Sequence, residues 1–157
     1  MADDMYTVTR STVIAAPADQ IFAHLVDFHR WTGWSPWEGL DPQLNRSYSG
    51  PGSGVGSAYA WSGNRKAGRG SMTMVDAAEP SEVLVDVVFE KPFPSRSQSR
   101  FTLRPDGGST EVVWTMTGTK TLMSRLMGIF VSMDKLIGPD FERGLSRLKT
   151  VTESAGA

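Results

Sequence analysis

Residues 31–37 read WTGWSPW, and residues 50–64 read GPGSGVGSAYAWSGN. Three tryptophans within seven residues are followed by a glycine-rich turn and then by an alternating strand. Large flat side chains beside glycines are typical of a wall that contacts apolar groups where the backbone bends sharply. The tryptophans either close the end of a packed core or line a hollow, and only the pattern of the remaining chain separates these two interpretations.

The composition limits the classes of protein to consider. The chain has 157 residues, a formal net charge of -1 and no cysteine. This length predicts a single domain over residues 1–157 that buries a core without disulfides. The balanced charge indicates no nucleic-acid partner, and the lack of cysteine excludes thiolate metal sites. The N-terminus lacks the features of a signal peptide and no apolar run is long enough to span a bilayer, so we expect a cytoplasmic protein without stable membrane insertion.

Most of the chain has the two-residue alternation of β-strands. Turn residues at 62–65 and 106–109 predict short hairpins, and strands joined by short turns are antiparallel neighbours. Seven strands are predicted, at residues 5–15, 44–49, 56–63, 66–77, 82–90, 96–105 and 110–119.

Helical patterns lie on either side of the six later strands. Pro17 stands at a helix start, a second short helix is expected over residues 27–31, and a helical period begins at Thr121 and continues to the C-terminal region. Gly138-Pro139 either kinks or splits this last helix. The fold class is therefore α+β: a seven-stranded curved antiparallel sheet, two short helices after the first strand, and a long C-terminal helix that covers the sheet.

One face of the predicted sheet is rich in aromatic and methionine side chains and almost free of titratable groups. Its polar atoms are the Tyr59 and Ser99 hydroxyls and the indole N–H groups of Trp61 and Trp114. Such a face suits a small-molecule pocket, although a solid core has the same composition. The face comprises Tyr59, Trp61, Met72, Met74, Val85, Val87, Phe89, Phe101, Leu103, Val112, Trp114 and Met116.

The chain offers few candidates for catalysis. Asp86 is interpreted as a solvated outer residue and Arg10 as a guard on an edge strand. His24 and His29 would lie about 140° apart on one helix, which does not suit a shared metal. The glycine-rich segment 50–56 lacks the ending of a phosphate loop and is interpreted as a bend or a flexible lid. We therefore assign no catalytic residue, no metal and no cofactor.

Four segments resemble a known family. They are VIAAPADQIFAHLVDFHRWTGWSPW, GPGSGVGSAYAWSGN, FTLRPDGGSTEVVWTMTG and GPDFERGLSRLK. Together they resemble the START-like helix-grip fold, and most closely the polyketide cyclase/dehydrase and lipid-transport group of the SRPBCC superfamily. The resemblance implies a cavity between the sheet and the C-terminal helix, with Trp34 and Trp37 near its mouth and Phe130, Met133, Ile137 and Phe141 as its roof.

The leading functional hypothesis is binding, transport or sensing of a small hydrophobic molecule, such as a lipid or polyketide-like compound. One alternative is a polyketide cyclase or dehydrase with a histidine or Tyr59 as acid or base. Another is a non-catalytic interaction domain that uses the WSPW loop as its contact patch, and a homodimer is left open. The predicted ligand-binding residues are Trp34, Trp37, Tyr59, Trp61, Met72, Met74, Val85, Val87, Phe89, Phe101, Leu103, Trp114, Met116, Phe130, Met133, Ile137 and Phe141.

Overall fold

Seven antiparallel strands form a single sheet in the order β1-β7-β6-β5-β4-β3-β2. The structure, a computed structural model, describes residues 5–39, 41–91, 94–119 and 133–155. Each strand from β2 to β6 pairs with the strand that follows it in the chain. The first strand, β1, pairs with β7 and forms one edge of the sheet. The strands are β1 (Met5–Ile14), β2 (Asn45–Ser49), β3 (Ala58–Ser62), β4 (Arg69–Ala78), β5 (Glu82–Lys91), β6 (Ser95–Asp106) and β7 (Ser109–Thr119).

Two short helices follow β1, and a long helix ends the chain. Helix α1 (Ala18–Leu25) starts directly after Pro17, whose φ of -65° suits a helix start. A 3₁₀ helix (Phe28–Gly33) begins after Asp27, which accepts a hydrogen bond from the His29 amide. Helix α2 (Met133–Ala155) is continuous through Pro139, so the proline does not split it. These elements confirm the predicted α+β helix-grip fold, and the part of the predicted last helix before residue 133 lies outside the described residues.

The predicted inner face of the sheet is buried. In β5, Val83, Val85 and Val87 are buried while Asp86 lies on the opposite face, where its carboxylate accepts a hydrogen bond of 2.7 Å from the Gln98 amide. The same alternation runs through β4, β6 and β7. The interpretation of Asp86 as an outer residue therefore agrees with the structure.

Helix α2 covers the inner face of the sheet. Its buried stripe includes Phe141, Leu145 and Leu148. At its N-terminal end, Asp134 and Glu142 form ion pairs with Arg10 of β1, at 2.8 and 3.2 Å. Arg10 does lie on an edge strand, but its guanidinium joins that strand to the helix instead of standing as a separate guard.

The glycine-rich segment before β3 is held in place by hydrogen bonds. The Gly54 amide donates to the Val26 carbonyl at 2.9 Å, and the Gly56 amide donates to the Met74 carbonyl at 2.8 Å. The Ser57 hydroxyl donates to the Gly54 carbonyl. These bonds favour the interpretation as a bend over the interpretation as a lid.

Within the described ranges, no helix combines the length and the apolarity that crossing a bilayer requires.

Candidate functional site

A cavity of about 280 Å³ lies between the sheet and the first part of α2. Its floor comes from β3, β4 and β5, and its walls come from the loop after the 3₁₀ helix and from the turn between β3 and β4. The lining residues are Ser35, Pro36, Trp37, Glu38, Leu44, Tyr59, Trp61, Lys66, Ala67, Met72, Val87, Phe89, Asp140 and Arg143.

Aromatic rings form a corner inside this cavity. Tyr59 and Trp61 are two residues apart on β3, so both face inward, and their rings stack with centroids 5.9 Å apart and an interplanar angle of 20°. Phe89 of β5 meets Trp61 edge-on, at 5.4 Å and 80°. Two nearly parallel rings and one perpendicular ring give this corner of the cavity aromatic walls.

Trp61 is fixed from two sides. Its indole N–H donates to the Ala67 carbonyl at 2.9 Å, so this N–H is already used within the protein. Gly70 lies behind the ring, and a Cβ atom at that position would be 2.7 Å from two carbons of the indole. The missing side chain at position 70 lets the ring lie against the backbone of β4.

The turn that carries Lys66 and Ala67 is well ordered by hydrogen bonds. The Asn64 side-chain oxygen accepts from the amides of Lys66 and Ala67, both at 3.0 Å. The Gly63 amide donates to the Gly68 carbonyl at 2.9 Å, which closes the turn. Side-chain acceptors of this kind fix the turn, and with it the rim of the cavity.

An ion pair between Arg46 and Glu38 lies near the aromatic corner. The guanidinium of Arg46 donates to the carboxylate of Glu38. Burial raises the pKa of Tyr59 to about 12, and the negative charge of Glu38 acts in the same direction. The Tyr59 hydroxyl therefore stays protonated at neutral pH and keeps an O–H group that a ligand oxygen can accept from.

Helix α2 holds the loop that forms the opposite wall. The guanidinium of Arg147 donates to the Ser35 carbonyl at 3.0 Å. One turn earlier in the helix, Asp140 and Arg143 form an ion pair of 2.6 Å at the cavity rim. The wall of the cavity is thus bonded to its roof.

The structure divides the predicted ligand-binding residues into two groups. Those lining the cavity are Trp37, Tyr59, Trp61, Met72, Val87 and Phe89. Those packed in or against the core, away from this cavity, are Trp34, Met74, Val85, Phe101, Leu103, Trp114, Met116, Ile137 and Phe141. Phe130 and the side chain of Met133 lie outside the described residues. For every residue in this predicted set, the assignment to a ligand site stays a prediction.

The aromatic members of the second group pack against one another. The Trp114 ring stacks on Phe141 with centroids 3.9 Å apart and an interplanar angle of 5°. Trp34 and Trp37 meet the same indole edge-on, at 5.7 and 5.8 Å. The Trp114 indole nitrogen is buried and has no hydrogen-bond partner within the described part of the chain. Helix α2 packs on this end of the inner face, and the cavity described above lies at the end formed by β3.

The first two tryptophans of WTGWSPW have a structural role. The indole of Trp31 donates to the Leu25 carbonyl at 2.9 Å, and that of Trp34 donates to the His24 carbonyl at 3.2 Å. Both bonds satisfy carbonyls at the C-terminal end of α1, which lack partners inside the helix. Trp31 and Trp34 are buried and only Trp37 is partly exposed, so the loop does not present the tryptophan surface that the contact-patch hypothesis needs.

Neither histidine lines the cavity. His24 is partly buried, and burial lowers its pKa, with the positive charge of Arg30 adding to the effect. His29 lies on the surface, where its ring stacks on Tyr48 at 3.9 Å and its Nδ1 is 3.0 Å from the Asp27 carboxylate. Over the described ranges, no three His, Cys, Asp or Glu side chains come together in a metal-binding arrangement.

Sequence reasoning missed the residues that loops and the helix bring to the rim. Strand alternation assigns faces only within strands, so it gives no information on Glu38 in a loop. The predicted strand 66–77 begins at Arg69 instead, because the Asn64 side chain and the Gly63–Gly68 bond hold Lys66 in the turn. Asp140 and Arg143 did leave a signal, because an acid and a base three residues apart lie on one face of a helix. The remaining lining residues of this kind are Ser35, Pro36, Leu44 and Ala67.

The chain is similar to one described protein family over almost its whole length. The model of the polyketide cyclase / dehydrase and lipid transport family matches residues 5–153. No curated protein gives a significant match.

Several solved structures share the fold at low sequence identity. Major latex-like protein 151 of Panax ginseng is 14% identical with a TM-score of 0.71, over 95% of this chain and 98% of that one. Norcoclaurine synthase of Thalictrum flavum, in complex with dopamine and hydroxybenzaldehyde, is 11% identical with a TM-score of 0.70, over 96% and 87%. A protein of Chromobacterium violaceum is 12% identical with a TM-score of 0.68, over 94% and 96%. At these identities the likeness concerns the fold alone.

Proposed function

The chain belongs to the polyketide cyclase / dehydrase and lipid transport family, and from this premise we propose that it is a carrier or sensor of a small hydrophobic molecule. The molecule would occupy the cavity between β3–β5 and the first part of α2. The observation that supports this is the open volume of about 280 Å³ walled by aromatic and aliphatic side chains. A pocket that is apolar apart from a few fixed polar groups is the usual composition of a small-molecule site.

Binding is better supported than catalysis. A cyclase or dehydrase needs a positioned base near the substrate. In the cavity the carboxylate of Glu38 is held by Arg46 and that of Asp140 by Arg143. The protonated Tyr59 hydroxyl suits the orientation of a ligand oxygen. One relative of the same fold, norcoclaurine synthase, is described in complex with dopamine and hydroxybenzaldehyde, which are small ring compounds.

Filling the cavity should abolish binding. Ala67 lies on the rim turn and lines the cavity, so Ala67→Phe places a phenyl ring in the open space without enlarging a packed core. We expect binding of the neutral fluorescent probe phenylnaphthylamine to weaken by at least about tenfold. Fluorescence titration of the full chain measures this.

The matched control is Ala60→Phe, which adds the same ring on the opposite face of β3. We expect it to leave probe binding unchanged. Equal binding by wild-type protein, Ala67→Phe and Ala60→Phe would contradict the proposed site. Native mass spectrometry of protein purified from its own host would further show whether a small molecule travels with the wild-type chain and is lost in Ala67→Phe.

A further inference from the structure

The charged residues around the cavity differ in whether they are neutralised. Glu38 pairs with Arg46, and Asp140 pairs with Arg143. Lys66 also lines the cavity, but it forms no ion pair within the described part of the chain. Each carboxylate at the rim is thus matched by an arginine, and one exposed ammonium group is left over.

Asp41, which also contacts the turn of Lys66, does not neutralise this charge. One of its carboxylate oxygens accepts from the Gln43 amide at 2.9 Å, and the other accepts from the Asn64 amide at 2.8 Å. Both oxygens therefore hold backbone groups, and Asp41 is not among the lining residues. The ammonium group of Lys66 therefore gives the cavity rim a net positive charge.

The volume of the cavity restricts the size of a guest. The cavity has a volume of about 280 Å³. This lies just below the range of about 300–1,000 Å³ that is typical of sites for drug-sized ligands. One or two fused rings fit within such a space, whereas a long acyl chain would extend beyond it.

The shape of the cavity favours a flat guest. An aromatic ring bound in the corner of Tyr59, Trp61 and Phe89 can meet these rings offset-stacked or edge-on, and both geometries are favourable for aromatic pairs. The protonated Tyr59 hydroxyl lies in this corner, and Lys66 supplies positive charge at the rim.

We infer that the guest is a flat aromatic monoacid, with its ring in the corner of Tyr59, Trp61 and Phe89 and its carboxylate at the rim facing Lys66. This inference rests on the proposed function and adds to it the charge and the size class of the ligand. Lys66 acts on specificity: the aromatic walls bind the ring, and the ammonium group selects the ionised acid over neutral rings of the same shape.

The test compares two probes of the same shape, one of them charged and the other neutral. Naphthoate and naphthamide have the same ring system, but only naphthoate is an anion at neutral pH. We expect wild-type protein at low salt to bind naphthoate about fivefold more tightly, as for one ionic contact near 4 Å in a well-hydrated setting. Isothermal titration calorimetry measures both affinities on the full chain.

Two variants isolate the charge of Lys66. In Lys66→Gln the preference for naphthoate should disappear while the affinity for naphthamide stays the same. Arg65→Gln removes a positive charge from the neighbouring position of the same turn, which does not line the cavity, and should keep the preference. High salt should reduce the preference in wild-type protein, because an exposed ionic contact is screened.

The possible results separate this inference from the proposed function. Equal binding of both probes by wild-type protein, or an unchanged preference in Lys66→Gln, would overturn the inference and leave the proposed function standing. Tight binding of palmitate in competition with naphthoate would overturn the size class. Absence of binding for every probe, including phenylnaphthylamine, would overturn both proposals.

Discussion

At the scale of single residues, the aromatic corner depends on a position that has no side chain. Gly70 lies opposite Trp61 in the β3–β4 pairing and opposite Phe89 in the β4–β5 pairing. The space that a Cβ atom would take is occupied by the Trp61 ring and by the Val88 carbonyl. The register between β4 and β5 shifts between Arg69 and Gly70, which brings this carbonyl close. The wall of the cavity is therefore set by backbone geometry as much as by the ring itself.

Gly70→Ala should disturb both stability and binding. The added methyl group has to displace a backbone carbonyl or turn the Trp61 ring, and overpacking of this kind costs about 1–3 kcal/mol. A turned ring would also narrow the cavity and weaken binding of phenylnaphthylamine. Urea denaturation and probe titration measure the two effects.

Gly108→Ala is the matched control, because a Cβ atom at Gly108 meets nothing within 4 Å. Its effect on stability should stay within about 0.5 kcal/mol, as for ordinary surface substitutions. If Gly70→Ala behaved like this control, the packing of Trp61 against the β4 backbone would be refuted.

At the scale of elements, two glycines of α2 lie where the helix is in close contact with its neighbours. A Cβ atom at Gly144 would be 2.8 Å from Pro36 and 3.2 Å from the Trp114 ring. At Gly138 the neighbouring group is the guanidinium of Arg10, which is the end of a long side chain. The first contact is with stiff groups and the second with a group that has rotatable bonds, so the two positions should respond differently to the same substitution.

Gly144→Ala should destabilise the protein although alanine favours a helix. The gain in helix propensity is about 1 kcal/mol, and overpacking against Pro36 and Trp114 costs about 1–3 kcal/mol. Gly138→Ala should be less harmful, because the Arg10 side chain can move aside at the cost only of ion pairs with exposed carboxylates. Thermal and urea denaturation of both variants give the order. A Gly144→Ala variant more stable than wild type would contradict the close packing of α2 on the loop at Pro36.

At the scale of the whole molecule, charged groups connect the first strand to the last helix. Arg10 pairs with Asp134, and the Glu153 carboxylate accepts from the Ala15 amide at 2.9 Å. Lys149 joins the same end, since its ammonium group donates to the Val13 carbonyl at 2.9 Å and to Glu153 at 2.6 Å. The middle of β1 is thus bound to the first part of α2, and the chain at the end of β1 is bound to the last part of α2.

These contacts predict loss of stability in acid. The hydrogen bond from Arg10 lowers the pKa of Asp134 below its ordinary value of 3.8, and the Ala15 amide followed by Lys149 lowers that of Glu153 below 4.5. Both carboxylates are ionised in the folded and unfolded states at neutral pH, where their stabilisation is complete. As the pH falls through these ordinary values, the unfolded state takes up protons first, so the free energy of unfolding falls.

The double variant Asp134→Asn/Glu153→Gln should show a smaller decrease in urea midpoint between neutral pH and about pH 3 than wild-type protein. Asp106→Asn, which changes an exposed carboxylate in the β6–β7 hairpin, serves as the control and should keep the wild-type decrease. An identical acid profile for the double variant and wild type would argue against the role of these contacts.

Much of the fold follows from local patterns. The alternation in β5 assigns Val83, Val85 and Val87 to the inside, because side chains of a strand point to opposite faces in turn. The turn residues at 62–65 and 106–109 give two of the hairpins, because few residue types accept the backbone angles that such turns need. The resemblance then orders these elements into a sheet with a covering helix, as the structure has it.

The sequence by itself determined the α+β architecture and the apolar inner face, since both follow from periodicity over neighbouring residues. Only the tertiary structure decided which part of that face is open. Trp114 and Phe141 are far apart in the chain, and their stacking at 3.9 Å fills one end of the hollow. The pairing of Glu38 with Arg46 and the position of Lys66 likewise depend on how a loop and a turn meet the sheet. Packing between distant segments sets the volume and the charge of the cavity, and no local sequence pattern encodes this packing.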